Sequence, residues 1–402
     1  MQDASAPPSS AAAGPAASAA SAGSAGSAGS AAAGPVVIKS RLLKQLDKDI
    51  AAATSPMASA AARAKRAMLL ARHGAVGEAR EALTALHQLS FQHPHPEIGA
   101  WLHMAEGLMS YYNGFVAQQA WDRIQRAHAI AGTSPALIEV RVLASAWLSQ
   151  LAFIRHDPVA LVDYARRCLG EALPEHNVAQ ARLAITMGLA WHYAGDLASA
   201  QRWYIRARRH ASVEGDDASL SALMFNMAGM RASQLRRESL SSQTWRGSEL
   251  MLSVDSVHHF DEAVGAQMMT ELTPVLRAQV LTMQGGFDEA RRLYEEHLPQ
   301  AMSLGLERLG SSLLSDLAWC RANLGQHEHA LHQAREAEIE LDPECELDDR
   351  AITHSRLAQT FRMLGETADA DRHQALADEA WLQFAEQQQQ WRDLLAGCAL
   401  EA

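Results

Sequence analysis

From Lys39 almost to the C-terminus, leucine, alanine, methionine and aromatic residues recur three and four positions apart, with hardly a stretch that alternates apolar and polar residues. That spacing puts apolar side chains on one face of a 3.6-residue helix and predicts a nearly all-helical chain. Breakers interrupt the helices at His73-Gly74, Asn113-Gly114, His156-Asp157-Pro158, Gly195-Asp196, Gly285-Gly286, Gly325 and Gly365, most of them 39 to 42 residues apart. The interval from Gly195 to Gly285 reads as two units with a turn at Arg236-Arg237. Asp157-Pro158 and Ser134-Pro135 place an acceptor at the N-cap and a proline at N1, where its missing N–H costs nothing. Gly195, Gly325 and Gly365 fall where a helix ends on a left-handed residue. Pro274 and Pro299 are expected to kink or break their helices.

A period near forty with two helices per unit predicts an all-α, right-handed α-solenoid of about eight antiparallel helix pairs, because one hairpin cannot bury its apolar face alone. The array is expected over 39–385, opening with a short helix at 39–53. A C-terminal capping helix and tail follow at 386–402, and Trp381, Phe384, Trp391, Leu394 and Leu395 supply the apolar positions of the stretch that continues past the last repeat into it. Self-association through Trp391 is the alternative use of that face. Residues 1–38 form an Ala/Ser/Gly-rich tail: the first 35 positions hold fifteen Ala, eight Ser, five Gly and four Pro. Such a segment has too little apolar surface to offset its ordering entropy and is read as disordered.

Within these units Met187-Gly188, Trp191, Gly195, Leu197, Ala200, Tyr204 and Ala207 follow the spacing of a tetratricopeptide repeat, and the chain resembles that family. Leu317-Ala318, Gly325, Ala330, Ala334, Ala337 and then Leu357-Ala358, Phe361, Gly365, Ala370, Ala377 repeat the pattern. Gly285, Phe287, Ala290 and Tyr294 supply another copy, and the first half matches more loosely. The longer period resembles the arrays of bacterial regulators such as MalT-type activators and Rap-type phosphatase regulators. The resemblance implies that the first helix of each pair lines a concave surface. By register, its partner-contacting residues are Arg182, Thr186, Leu189 and Tyr193, then Asn226 with Gly229, then Trp319 and Asn323, then Arg356, Gln359 and Arg362. A carboxylate clamp of paired Lys and Asn is not reproduced.

Composition narrows the function. The formal charge is −11, which disfavours non-specific binding to nucleic acid or anionic membrane, and no run reaches the roughly 18 uncharged apolar positions that span a bilayer. Four scattered cysteines without CxxC spacing fit a reducing compartment, and a cytoplasmic location is expected. Gly285-Gly286-Phe287-Asp288-Glu289-Ala290 superficially resembles a GGDEF motif but sits at a hairpin turn in phase with its repeat. His87, His93, His95 and His103, and His327, His329 and His332, lack an obvious third-ligand arrangement and read as solvated. No motif for a nucleophile, metal or nucleotide appears, so no cofactor and no metal are expected.

Charge is uneven: eight Arg against five acids between 201 and 250, and eight acids against two Arg between 330 and 350. Two solvated faces are the plain reading; a central basic surface that docks an acidic partner is the sharper one. These observations predict a non-enzymatic scaffold or adaptor that holds a peptide or partner helix in a concave groove. The rival is a peptide- or ligand-responsive sensory module of a bacterial regulatory system.

Overall fold

A computed structural model describes residues 38–114, 117–241, 248–265, 270–303, 309–343, 345–398 and 400. The chain divides into Met1–Val36 and Val37–Ala402, and every described residue belongs to the second unit. The expected tail at 1–38 therefore lies almost wholly outside the described residues. The described residues are helical and contain no strand. In chain order the helices are α1 (Arg41–Ala52), α2 (Pro56–Arg72), α3 (Val76–Gln92), α4 (Pro96–Gly114), α5 (Ala117–Ala131), α6 (Ile138–Ile154), α7 (Pro158–Glu171), α8 (Asn177–Tyr193) and α9 (Leu197–Glu214). They continue as α10 (Asp217–Ser241), α11 (Ser248–Val264), α12 (Leu272–Gln284), α13 (Phe287–Ala301), α14 (Gly310–Asn323), α15 (His327–Ile339), α16 (Leu347–Leu364) and α17 (Thr367–Gly397).

After the leading α1, each even-numbered helix packs against the odd-numbered helix that follows it, giving eight pairs among the described residues. Local chemistry sets the boundaries. The Asp157 carboxylate accepts from the Ala160 amide (2.9 Å) ahead of Pro158, and Asp196 accepts from Ser199 (3.0 Å). Gly74, Gly195, Gly285, Gly325 and Gly365 all take positive φ between 74° and 84°, the region a Cβ makes costly. The prolines do not interrupt the array: Pro274 sits in the first turn of α12, and α13 runs through Pro299 to Ala301.

The two helices of a pair differ in pattern. First helices such as α6 and α8 are buried around most of their circumference, whereas second helices such as α5, α7 and α9 bury a single stripe. First helices also touch one another in succession from α2 to α16, so they form the inner layer. Small residues allow the close approach. Gly188 of α8 faces the Tyr204 ring of α9, and a Cβ on Gly107 would lie 2.6 Å from Ile124 of α5. Among the described residues one helical stretch, Pro135–Ile154, is long and apolar enough to cross a membrane, and 72 % of its apolar 18-residue window is buried inside the stack.

Three expectations are corrected. The turn at Arg236-Arg237 does not exist: α10 runs unbroken for 25 residues to Ser241, with neither Gly nor Pro between Met230 and Arg246 to end it. The boundary at 385 falls inside α17, which is continuous from Thr367 to Gly397. Trp391 is not available for self-association. It is 2 % exposed, edge-on to Phe153 and Tyr193, because the C-terminal half of α17 returns to α7 and α8. There Gln388 donates to the Tyr193 carbonyl (2.6 Å) and Arg392 to the Ala194 carbonyl (2.8 Å).

Candidate functional site

The inner helices enclose a cavity of about 310 Å³. Its lining follows helix periodicity: Arg182, Leu189 and Tyr193 from α8, Ala222, Asn226, Gly229, Ser233 and Arg237 from α10, and Leu272, Val275, Leu276 and Gln279 from α12. Tyr111, Tyr112, Gln150 and Phe153 close the α4–α6 side, and Glu346, Asp348 and Asp349 enter from the start of α16. Half-buried Phe225, Met230 and Leu309 give it an apolar wall. A second cavity of about 540 Å³ adjoins it through Ile154, Glu346 and Asp349 and adds Glu340 and Asp342.

Both signs of charge meet the cavity. Arg182 is 5 % exposed; its guanidinium stacks 4.1 Å from the Trp147 ring centroid and has no hydrogen-bond partner at the buried Nε or Nη2. One helical turn further along α8, Thr186 is fully buried behind the lining and donates to Gln150 (2.8 Å). At the α16 end, carboxylate oxygens of Glu346, Asp348 and Asp349 lie within 4.8 Å of one another. Arg237 donates to Asp348 (3.3 Å), and His156 pairs with Glu346 (3.1 Å). Burial and the neighbouring Glu346 charge push the Asp348 carboxyl above its ordinary value, against the pull of Arg237. His156 holds a left-handed backbone (φ 52°), which aims its ring at Glu346, Tyr193 and Trp391.

The expected groove residues separate into two groups. Arg182, Leu189, Tyr193 and Asn226 line the cavity, and Thr186 braces it from behind. Trp319, Asn323, Arg356, Gln359 and Arg362 lie outside its lining. Arg356 donates to Asp316 (2.8 Å) and to Gln359 (2.8 Å) and stacks over Trp319; Asn323 donates to the Trp319 carbonyl. Arg362 is exposed near Asp371.

The basic stretch is not one docking face. Arg202, Arg208 and Arg209 project from the outer helix α9, whereas Arg236 is buried against Asp316 (2.6 Å) and Arg237 is held by Asp348. Arg246 lies outside the described residues. The acidic run is likewise partly consumed, since Arg335 and Arg372 bind Glu338. His87 and His103 both meet Glu106, and His93, His95, His327, His329 and His332 are exposed. Gly285 and Gly286 form the α12–α13 turn, with Gly286 at the N-cap of α13. Sequence reasoning missed Phe225, Gln150, Arg237 and the acidic end of the cavity.

No protein-family model matches this chain, and no curated protein matches it. Solved structures are similar to it. A Rap protein complexed with Competence and Sporulation Factor is similar over 82 % of this chain and 99 % of its own, at 10 % identity and a TM-score of 0.54. The apo form of RapI is similar over 81 % and 98 %, at 11 % identity and a TM-score of 0.46. At such identity the likeness to the complexed Rap protein is one of fold: an all-α helical-repeat array.

Proposed function

We propose that this protein is a non-enzymatic binding scaffold whose inner-helix cavity holds a short peptide segment. The observation that carries the reading is the lining itself: an apolar wall on α10 and α12, the Asn226 amide, a cation at Arg182 and carboxylates at the α16 end. A peptide presents the same mixture of apolar side chains, backbone amides and charges of both signs, whereas a lipid or a nucleotide presents only part of it. No nucleophile paired with an activated base lines the cavity among the described residues, which fits binding and not catalysis. The similar Rap protein, complexed with Competence and Sporulation Factor, supports a repeat array that takes a separate factor.

The responsive reading gains from one feature. Tyr193 lines the cavity with one side and donates to Gln387 of α17 (2.5 Å) with the other, so an occupant meets the residue that docks the C-terminal helix. Gly229 provides the test, because a Cβ there meets nothing within 4 Å and a large side chain would enter the cavity. A Gly229→Trp variant is expected to keep its helical circular dichroism and lose capture of peptides from a random pentapeptide pool. Capture equal to that of the unaltered chain would reject the cavity as the site.

A further inference from the structure

We infer that Arg182 is a carboxylate anchor for the cavity's ligand. The inference deepens the peptide reading above and rests on it. The fold treats its buried arginines alike with one exception. Arg236 and Arg356, at 3 % and 5 % exposed, share the buried Asp316, at 2.6 Å and 2.8 Å. Arg72, with only 8 % of its side chain exposed, pairs with the fully buried Asp216 at 2.6 Å. Arg182 is as buried as these, yet no carboxylate lies within ion-pair distance of it among the described residues. Its neighbours include the face of Trp147, the Tyr112 phenol and Thr186, whose hydroxyl lies against the Gln150 amide oxygen and the Arg182 carbonyl; none of these is an anion.

A guanidinium withdrawn from water without an anion is costly, and an aromatic face offsets only part of that cost. The missing anion has a route in, because Arg182 lines the cavity. A planar guanidinium matches a carboxylate in preference to a point-like anion, since two parallel N–H groups meet its two oxygens. A peptide offers that group either as its C-terminal carboxylate or as an Asp or Glu side chain. The carboxylates at the α16 end disfavour an acidic group there, which orients the ligand with its negative end toward α8.

The test uses the full chain and three random pentapeptide pools: one with free C-termini and no Asp or Glu, one amidated with Asp and Glu, and one amidated without them. Retention of the first or second pool and exclusion of the third is expected, and which of the two is retained identifies the source of the carboxylate. Arg182→Gln should weaken that retention at least about tenfold, with Arg182→Lys in between. Arg182→Gln should also melt no lower than the unaltered chain, because it removes an unpaired buried charge; a lower melting temperature assigns Arg182 to structure and overturns the proposal. Equal retention of all three pools, lost in Gly229→Trp, overturns the anchor and leaves the peptide reading standing. Retention of none overturns both.

Discussion

Two glycines in inner helices should respond to the same substitution with opposite signs. Gly188 lies in α8, where an added Cβ would overlap the edge of the Tyr204 ring; Tyr204 is itself buried and held at its hydroxyl by His192 (3.3 Å). The ring cannot swing away, so overpacking costs about 3 kcal/mol, the upper part of its usual range, against a gain of about 1 kcal/mol in helix propensity. Gly188→Ala should therefore destabilise by about 2 kcal/mol. Gly229 lies in α10, where the new Cβ meets only the cavity, so Gly229→Ala should stabilise by up to about 1 kcal/mol. Urea unfolding followed by far-ultraviolet circular dichroism measures both. Equal midpoints, or Gly188→Ala above Gly229→Ala, would refute the packing of α8 on α9 and the open face of α10 together.

Other consequences concern the buried polar groups and the closing helix. Asp316 is 1 % exposed and receives both Arg236 and Arg356, so Asp316→Ala strands two buried cations and should cost about 3–5 kcal/mol; a urea midpoint within error of the unaltered chain would contradict that role. His354 and His373 touch through their Nδ1 atoms (2.9 Å), and burial lowers each to about 4 from an ordinary 6.5. The unfolded chain then binds more protons between those values, so the stability from this pair is full above pH 6.5 and lost as pH falls toward 4. His373→Phe, which can stack on Phe361 as His373 does, should flatten the fall in urea midpoint over that window, and an unchanged slope would count against it. Trp391→Ala should cost about 3–5 kcal/mol of docking energy and speed hydrogen exchange in the last turns of α17. Unaltered exchange there would mean that Phe153 and Tyr193 do not hold that helix.

The repeat was legible because its punctuation is steric. A left-handed turn selects glycine, and Gly195, Gly285, Gly325 and Gly365 stand at such turns. Where the chain uses no such residue the boundary is illegible: α10 passes through Arg236-Arg237 because nothing there stops a helix, and these two arginines reach carboxylates 80 and 111 residues later. Register placed Arg182, Leu189, Tyr193 and Asn226 together on the cavity wall, since each recurs on the inward face of its helix. Register alone could not separate Arg182 from Arg356, whose difference is a buried aspartate on another helix. The return of α17 to α8 depends on the curvature summed over several pairs, and spacing along one chain does not encode it.

The account depends on an occupant lying between the inner helices, and photocrosslinking reads that position directly. A benzophenone amino acid is placed at Phe225, on the cavity wall, or at Ile205, 60 % exposed on the outer helix α9, and irradiated with the pentapeptide pools. Peptide adducts at 225 and none at 205 are predicted. Adducts at 205 with none at 225 would place the ligand on the outer surface and contradict the account.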